Sequence, residues 1–507
     1  MPLAKAMMTV AGLTGLSRIA GFVRDVLTAA YLGAGPMADA FFVALKLPNF
    51  FRRVTAEGAF SVAFVPIYSK KLSREGEDKS SEFAGNTFSI MFMALSVFSL
   101  LALAFMPYVI SVLAPGFVDD PDRFDAAVDL SRVTFPYLLL MSLSALLGGM
   151  MNAHEKFAPF AFAPVLFNLC IILALIFGTE RLDSAAHAMA WGVFVSGIIQ
   201  FVWLFACLRK YGIRIQIKKP ALSDDIRRLF RLMGPGVIGA GVMHINLFAD
   251  MIIASFLAKG SISYLYYADR LNQLPFGMLG IAVGTALLPM LSQALAAGDM
   301  KKSSDLFNRA LEFCLILALP AAAALLVIPD LILSALFERG EFSATDTSRT
   351  ALVLQGYAIG LPAYITVKVF STAYWSREDT WTPVKISIIS TVVNIILSLC
   401  LVWPLGVAGI AFSTALAGWL QVFLLKHNLK DIEATQLDER FWKALKKIVP
   451  ITIIMAICVF GLSHIELGKF IDLAICILAG GSIYFVLGHK TNLITPQEFK
   501  SFFKKRS

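Results

Sequence analysis

The residues with chemistry to offer are the charged ones that stand where charge is expensive. Eight Lys and Arg lie inside stretches apolar enough to cross a bilayer: Arg18, Arg24, Lys46, Arg52, Arg53, Arg270, Lys368 and Lys385. A charge at the bilayer centre costs about 2.5–3.5 kcal/mol on insertion scales, so each needs a partner, a wet cavity or a ligand. At 100° per residue, Thr14, Ser17, Arg18, Gly21, Arg24, Asp25 and Thr28 share one face of a helix. Asp39, Lys46 and Arg53 recur every seven residues, and Glu57 follows Arg53 by four. Asp39 is expected to pair with Arg18 or Arg24, and Glu57 with Arg53. A third stripe carries Ser263, Tyr266, Tyr267, Arg270, Gln273 and Gly277, with Asp269 beside it. Asp250 reads either as a cation-coupling group or as the structural partner of a lysine. In the first two stripes the cations outnumber Asp25, Asp39 and Glu57. Guanidinium forks match phosphate oxygens better than any cationic ligand, so the chemistry implied is non-covalent capture of an anion.

The elements that position these residues are membrane helices. The chain has 507 residues, 58% of them hydrophobic and 16% charged, with a mean hydropathy of +0.73. A soluble domain of ordinary composition is about a quarter charged, so a soluble enzyme is excluded. Apolar windows separated by charged or Gly/Pro-rich breaks predict fourteen spans, from 6–33 to 470–488, in an all-α polytopic membrane protein. Arg18, Arg24 and Asp25 interrupt the first apolar run and no small-residue cleavage site follows it, so it reads as a retained span rather than a signal peptide. The net charge of +9 is distributed by side. With the N-terminus inside, 29 of the 44 Lys and Arg fall in cytoplasmic segments, and seven, Arg123 among them, fall opposite. Both termini are therefore expected to be cytoplasmic, and the basic excess implies no nucleic-acid partner. The six cysteines form no CxxC pair, and no metal site is expected. The external run Asp119-Asp120-Pro121-Asp122 reads as a solvated acidic loop rather than a glycosyltransferase metal motif.

The chain also repeats itself. Arg24-Asp25 aligns with Ala249-Asp250, Pro66 with Pro289, Pro107 with Pro329, and Gly197 and Gln200 with Gly418 and Gln421. The offset drifts only from 225 to 221. Six spans per repeat preserve orientation, so two parallel six-helix repeats are expected, with two extra helices at the C-terminal end. The expected domains are an N-lobe over 1–210, a C-lobe over 211–430, and a last pair of helices with a basic tail over 431–507. Two lobes that rock about a central basic cavity are a transporter plan.

The segments Gly15-Leu16-Ser17-Arg18-Ile19-Ala20-Gly21-Phe22-Val23-Arg24-Asp25, Ala38-Asp39-Ala40-Phe41, Leu47-Pro48-Asn49-Phe50-Phe51-Arg52-Arg53 and Glu57 to Pro66 closely resemble the MurJ (MviN) family of bacterial lipid II flippases. The resemblance implies transfer of undecaprenyl-diphosphate-linked disaccharide pentapeptide from the inner to the outer leaflet of the cytoplasmic membrane, for peptidoglycan synthesis, by alternating access. It implies that Arg18, Arg24, Arg52 and Arg270 contact the headgroup, with Arg53 nearby. Asp39 would orient the arginines, and Ser17, Asp25 and Ser263 would line the cavity. It implies no chemistry on the substrate and no cofactor. Without a nucleotide-binding loop, direction would come from membrane potential or an ion gradient. Membrane lipids are expected partners, and the cell-wall synthesis machinery a further one. The alternative readings are a multidrug or cation antiporter, or another polyprenyl-linked oligosaccharide flippase, of the same superfamily. A membrane-embedded glycosyltransferase is the reading from a different class.

Overall fold

The computed structural model of the chain describes residues 3–51, 60–282, 287–429 and 435–493. Eighteen α-helices are found among them, with no strand. Helix is what the sequence requires, because a backbone in lipid must satisfy its polar groups within its own segment.

The first of two compact units comprises residues 1–263 with 340–342. Its helices are α1 (Leu3–Leu32), α2 (Pro36–Phe51), α3 (Phe60–Ala104), α4 (Met106–Leu113), α5 (Pro121–Thr134), α6 (Tyr137–Ala153), α7 (Ala158–Gly178), α8 (Ala185–Lys210) and α9 (Asp224–Ser255). Within this unit α1 packs on α7, α2 on α5, α3 on α6, and α8 on both α6 and α7. α3 carries the end of the second expected span and most of the third, broken at Gly76 by a φ of 87°. Stacked rings of Phe60, Phe64, Tyr68 and Phe83 hold the two arms of that break together.

The second unit comprises residues 264–339 and 343–507. It contains the body of α10 (Ser261–Ala282), then α11 (Leu288–Ala296), α12 (Met300–Val327), α13 (Pro329–Leu336), α14 (Ala344–Trp375), α15 (Trp381–Leu405), α16 (Val407–Asn428), α17 (Glu439–Leu462) and α18 (Lys469–Lys490). The terminal pair α17–α18 buries Ile448, Met455, Val459 and Cys476 in one apolar cluster with residues of α12 and α13. The Tyr484 hydroxyl donates to the Ile316 carbonyl at 2.7 Å.

The eighteen helices fall onto the fourteen expected spans because several spans are built from two helices. The repeat is visible in these breaks. The third span of each repeat ends in an eight-residue helix with a proline in its first turn, Pro107 in α4 and Pro329 in α13. Packing repeats as well: α14 lies on α12 and α16 as α6 lies on α3 and α8, and α15 on α16 as α7 on α8. Ten helical runs are long and apolar enough to cross a membrane. Among the described residues α1 is left out by its charges and α2, with 16 residues, by its length.

Candidate functional site

The polar face of α1 finds its partner on α7. Arg24 is buried, and its Nε and Nη2 donate to Asp25 Oδ1 at 3.1 and 2.6 Å. Its Nη1 donates to Asn168 Oδ1 at 2.9 Å, and Asn168 Nδ2 donates to the Ser17 carbonyl at 3.1 Å. Gly21 faces the same amide, and the Phe167 ring centroid lies 5.8 Å from the Arg24 guanidinium carbon. One neutral amide thus fixes a guanidinium and ties it to the helix turn that carries Ser17 and Arg18. Hydrogen bonds to charged groups contribute about 1.5–3 kcal/mol each, so the orientation is strongly held. Ser17 is half-buried and Arg18 is exposed.

Asp39 does not meet Arg18 or Arg24. Its side chain is fully buried and pairs with Arg123, whose Nη2 donates to Oδ2 at 3.1 Å. The Gly260 N–H donates to the same oxygen at 2.8 Å, while Ser263 gives Oδ1 its backbone N–H at 2.9 Å and its hydroxyl at 2.7 Å. Gly260 directly precedes α10 and Ser263 lies in its first turn, so the carboxylate occupies the place of an N-terminal cap, where the helix dipole favours an anion. Arg123, expected in a solvated external loop, is instead 3% exposed, with its guanidinium carbon 4.0 Å from the Phe117 ring centroid. The physical reason is local: Pro121 starts α5 beside α2, and Arg123, two residues on, faces Asp39. Outside the membrane, Lys259 stands 3.0 Å from Asp120 and holds that carboxyl below the usual carboxylate range.

In the second unit Arg270 is half-buried on α10. Its Nη2 donates to the Tyr266 hydroxyl at 3.1 Å, and its guanidinium carbon lies 4.6 Å from the same ring's centroid. Gln273 donates to Asp269 on the adjoining face. Lys368 and Lys385 are exposed beside the rings of Phe276 and Trp381. Arg52, Arg53 and Glu57 lie outside the described residues.

The structure therefore joins Ser17, Arg24 and Asp25, and separately Asp39 and Ser263. Two participants escaped the sequence reading. Asn168 is a lone amide in an apolar span and carried a usable signal, since a buried amide must find partners. Arg123 carried none, because its partner is 84 positions away. Among the described residues no cluster of His, Cys, Asp and Glu is arranged to hold a metal.

Charged side chains held inside duplicated membrane helices suit a carrier, and the fold agrees with that of solved transporters. A lipid II flippase MurJ in an inward closed conformation superposes with a TM-score of 0.81 at 28% identity, over 95% of this chain and 98% of that one. An inward-facing multidrug resistance MATE family transporter of the MOP superfamily shares the fold alone, with a TM-score of 0.70 at 14% identity over 85% of this chain and 99% of that one. The class is thus a polytopic, internally duplicated helical membrane transporter. Within it, the family model of lipid II flippase MurJ matches residues 28–478. A probable lipid II flippase MurJ of Rhizobium meliloti (strain 1021) is 41% identical over 429 residues, covering 84% of this chain and 80% of that protein. The chain belongs to the MurJ lipid II flippase family.

Proposed function

We propose that this protein moves lipid II, the undecaprenyl-diphosphate-linked peptidoglycan precursor, from the cytoplasmic to the outer leaflet of the bacterial inner membrane. It does so by alternating access, without chemical change to the substrate, and with both termini in the cytoplasm. Within the family reading, the observation that carries the assignment of the site is Arg24. A guanidinium inside a membrane span, immobilised by Asp25 and Asn168, is a pre-oriented donor for diphosphate oxygens, and pre-orientation removes an entropic cost of binding. Arg18, exposed one and a half turns away on the same helix, supplies a second cation. Arg52, Arg53 and Arg270 serve the same headgroup, Asp25 and, through Asn168, Ser17 set the position of Arg24, and Asp39 and Ser263 fix the start of α10. Membrane potential or an ion gradient supplies direction.

The test is lipid II translocation in proteoliposomes, read as substrate accessible to an external enzyme. Arg24→Ala and Arg270→Ala are each expected to lower the rate at least about tenfold, the loss of a charge-assisted contact. Both insert, Arg270→Ala with the parent's thermal midpoint and Arg24→Ala with a lower one, because Asp25 loses the Arg24 guanidinium. Parental rates for Arg24→Ala overturn the site assignment. Displacement of a bound cationic dye by ions, with no lipid II movement, overturns the substrate.

A further inference from the structure

Between α8 and α9 the chain runs extended along the opening turns of the apolar arm of α3. Asn86 holds it as a neighbouring strand would, with Nδ2 donating to the Ala221 carbonyl at 2.7 Å and Oδ1 accepting from the Ala221 N–H at 2.8 Å. Ser89 donates to the Lys218 carbonyl at 2.6 Å, and Lys218 pairs with Glu82 at 2.8 Å. Gly85 permits the approach: a Cβ there would stand 1.7 Å from the Gln216 carbonyl oxygen. Residues 84–89 begin the third membrane span, and the strap leaves the end of another, α8. The strap is thus pinned at the depth where these helices enter the bilayer.

Its inward side chains, Ile213, Ile226 and Leu229, join the core cluster of the first unit. Its outward side chains are of two interleaved kinds. Tyr211, Ile217, Leu222, Phe230 and Leu232 are exposed apolar groups, Ile217 at 61% and Leu222 at 66%. Lys210, Arg214, Lys219, Arg228 and Arg231 are exposed cations. Residues 209–232 contain eight Lys and Arg against two acids. Both acids are answered locally, Asp225 by Lys71 at 2.7 Å and Asp224 by Arg227 at 3.6 Å. Charge bias between sides of a membrane explains the cations but not the exposed apolar residues between them. Together they have the composition of an interfacial anchor, apolar groups for the acyl boundary and cations for anionic phosphates. A water-soluble acidic partner would engage only the second kind.

We propose that residues 209–232 form a docking belt for anionic phospholipid headgroups, with Leu222 and Ile217 seated below the phosphate level. The belt is independent of the lipid II site.

The experiment places full-length Leu222→Trp in lipid nanodiscs and compares its emission with that of the parent protein. Acyl-brominated phosphatidylglycerol is expected to quench the added emission at least about threefold more than acyl-brominated phosphatidylcholine at equal content, because cations concentrate the anionic lipid at the belt. High salt is expected to abolish the excess, since exposed charges are screened over a few ångströms near 1 M. The combined variant R214E/K219E/R228E/R231E is expected to lose the excess, and R214K/R228K/R231K to keep it. If the reversal variant does not fold, the salt titration on Leu222→Trp decides alone. Quenching by neither lipid overturns the proposal and marks a surface for a soluble partner. Equal quenching by both lipids overturns the anionic selectivity.

Discussion

Asp39 and Arg24 show two ways of keeping a charge inside a membrane protein. Arg24 spreads its donors over a neighbouring carboxylate and an amide one helix away, whereas Asp39 receives one cation and three neutral donors in full burial. Removing one partner of a buried pair strands the other, at a cost of about 3–5 kcal/mol. Asp39→Asn is therefore expected to destabilise the protein by that order, because Arg123 keeps its charge without a counter-ion. Arg123→Leu is expected to cost less, since the Gly260 and Ser263 donors still satisfy the carboxylate. A double-mutant cycle with thermal or denaturant unfolding in detergent measures the coupling, and additive effects of the two changes disprove the pairing. The two clusters were not equally legible. Arg24, Asp25 and Ser17 share a face through helical periodicity, which needs only the sequence. The partner of Asp39 is set by the packing of α5 on α2, and no local pattern encodes it. Counting Arg123 as a loop cation was the natural reading of a residue just past Pro121, and burial overturned it.

At the scale of elements, duplication acts on packing. Gly197 on α8 and Gly418 on α16, aligned by the internal repeat, each face a tyrosine ring on the helix beside them. A Cβ on Gly197 would stand 2.9 Å from a Tyr137 ring carbon, and one on Gly418 2.8 Å from a ring carbon of Tyr364. Small residues let membrane helices approach where no hydrophobic drive exists between them. Gly197→Val and Gly418→Val are each expected to lower stability by about 1–3 kcal/mol, the usual cost of overpacking, read as a fall in the thermal midpoint in detergent. A neutral result at both positions contradicts the shared packing. The helices themselves were legible, since apolar length and charge breaks are properties of the chain alone. Their interruptions were less so: Pro107 and Pro329 announce the breaks before α4 and α13, whereas the turn at Gly76 sits within a charged stretch that fixes no helix boundary. α1 carries Arg18, Arg24 and Asp25 within one span, so a purely hydropathic search is weakest on the helix that holds the polar stripe.

For the whole molecule, the proposed orientation in the membrane rests on where the cations lie. Cations are retained on the cytoplasmic side, and the bias is counted over short loops. The burial of Arg123 against Asp39 changes its partner and not its side, so the external count stays at seven. The end of α8, the strap and the first turns of α9 together hold eight of the inside cations, more than the entire external set. In the proposed orientation fourteen spans return the chain to its starting side, which places both ends in the cytoplasm. A green fluorescent protein fused after Ser507 is therefore expected to fluoresce in cells, and alkaline phosphatase at the same point to be inactive. Phosphatase inserted between α7 and α8, within residues 179–184, is expected to be active. The reverse pattern at both points would invert the orientation. It would also place the proposed belt of residues 209–232 on the outer face and reverse the proposed direction of transport. Active phosphatase at both points would break the even span count, and with it the parallel relation of the two repeats.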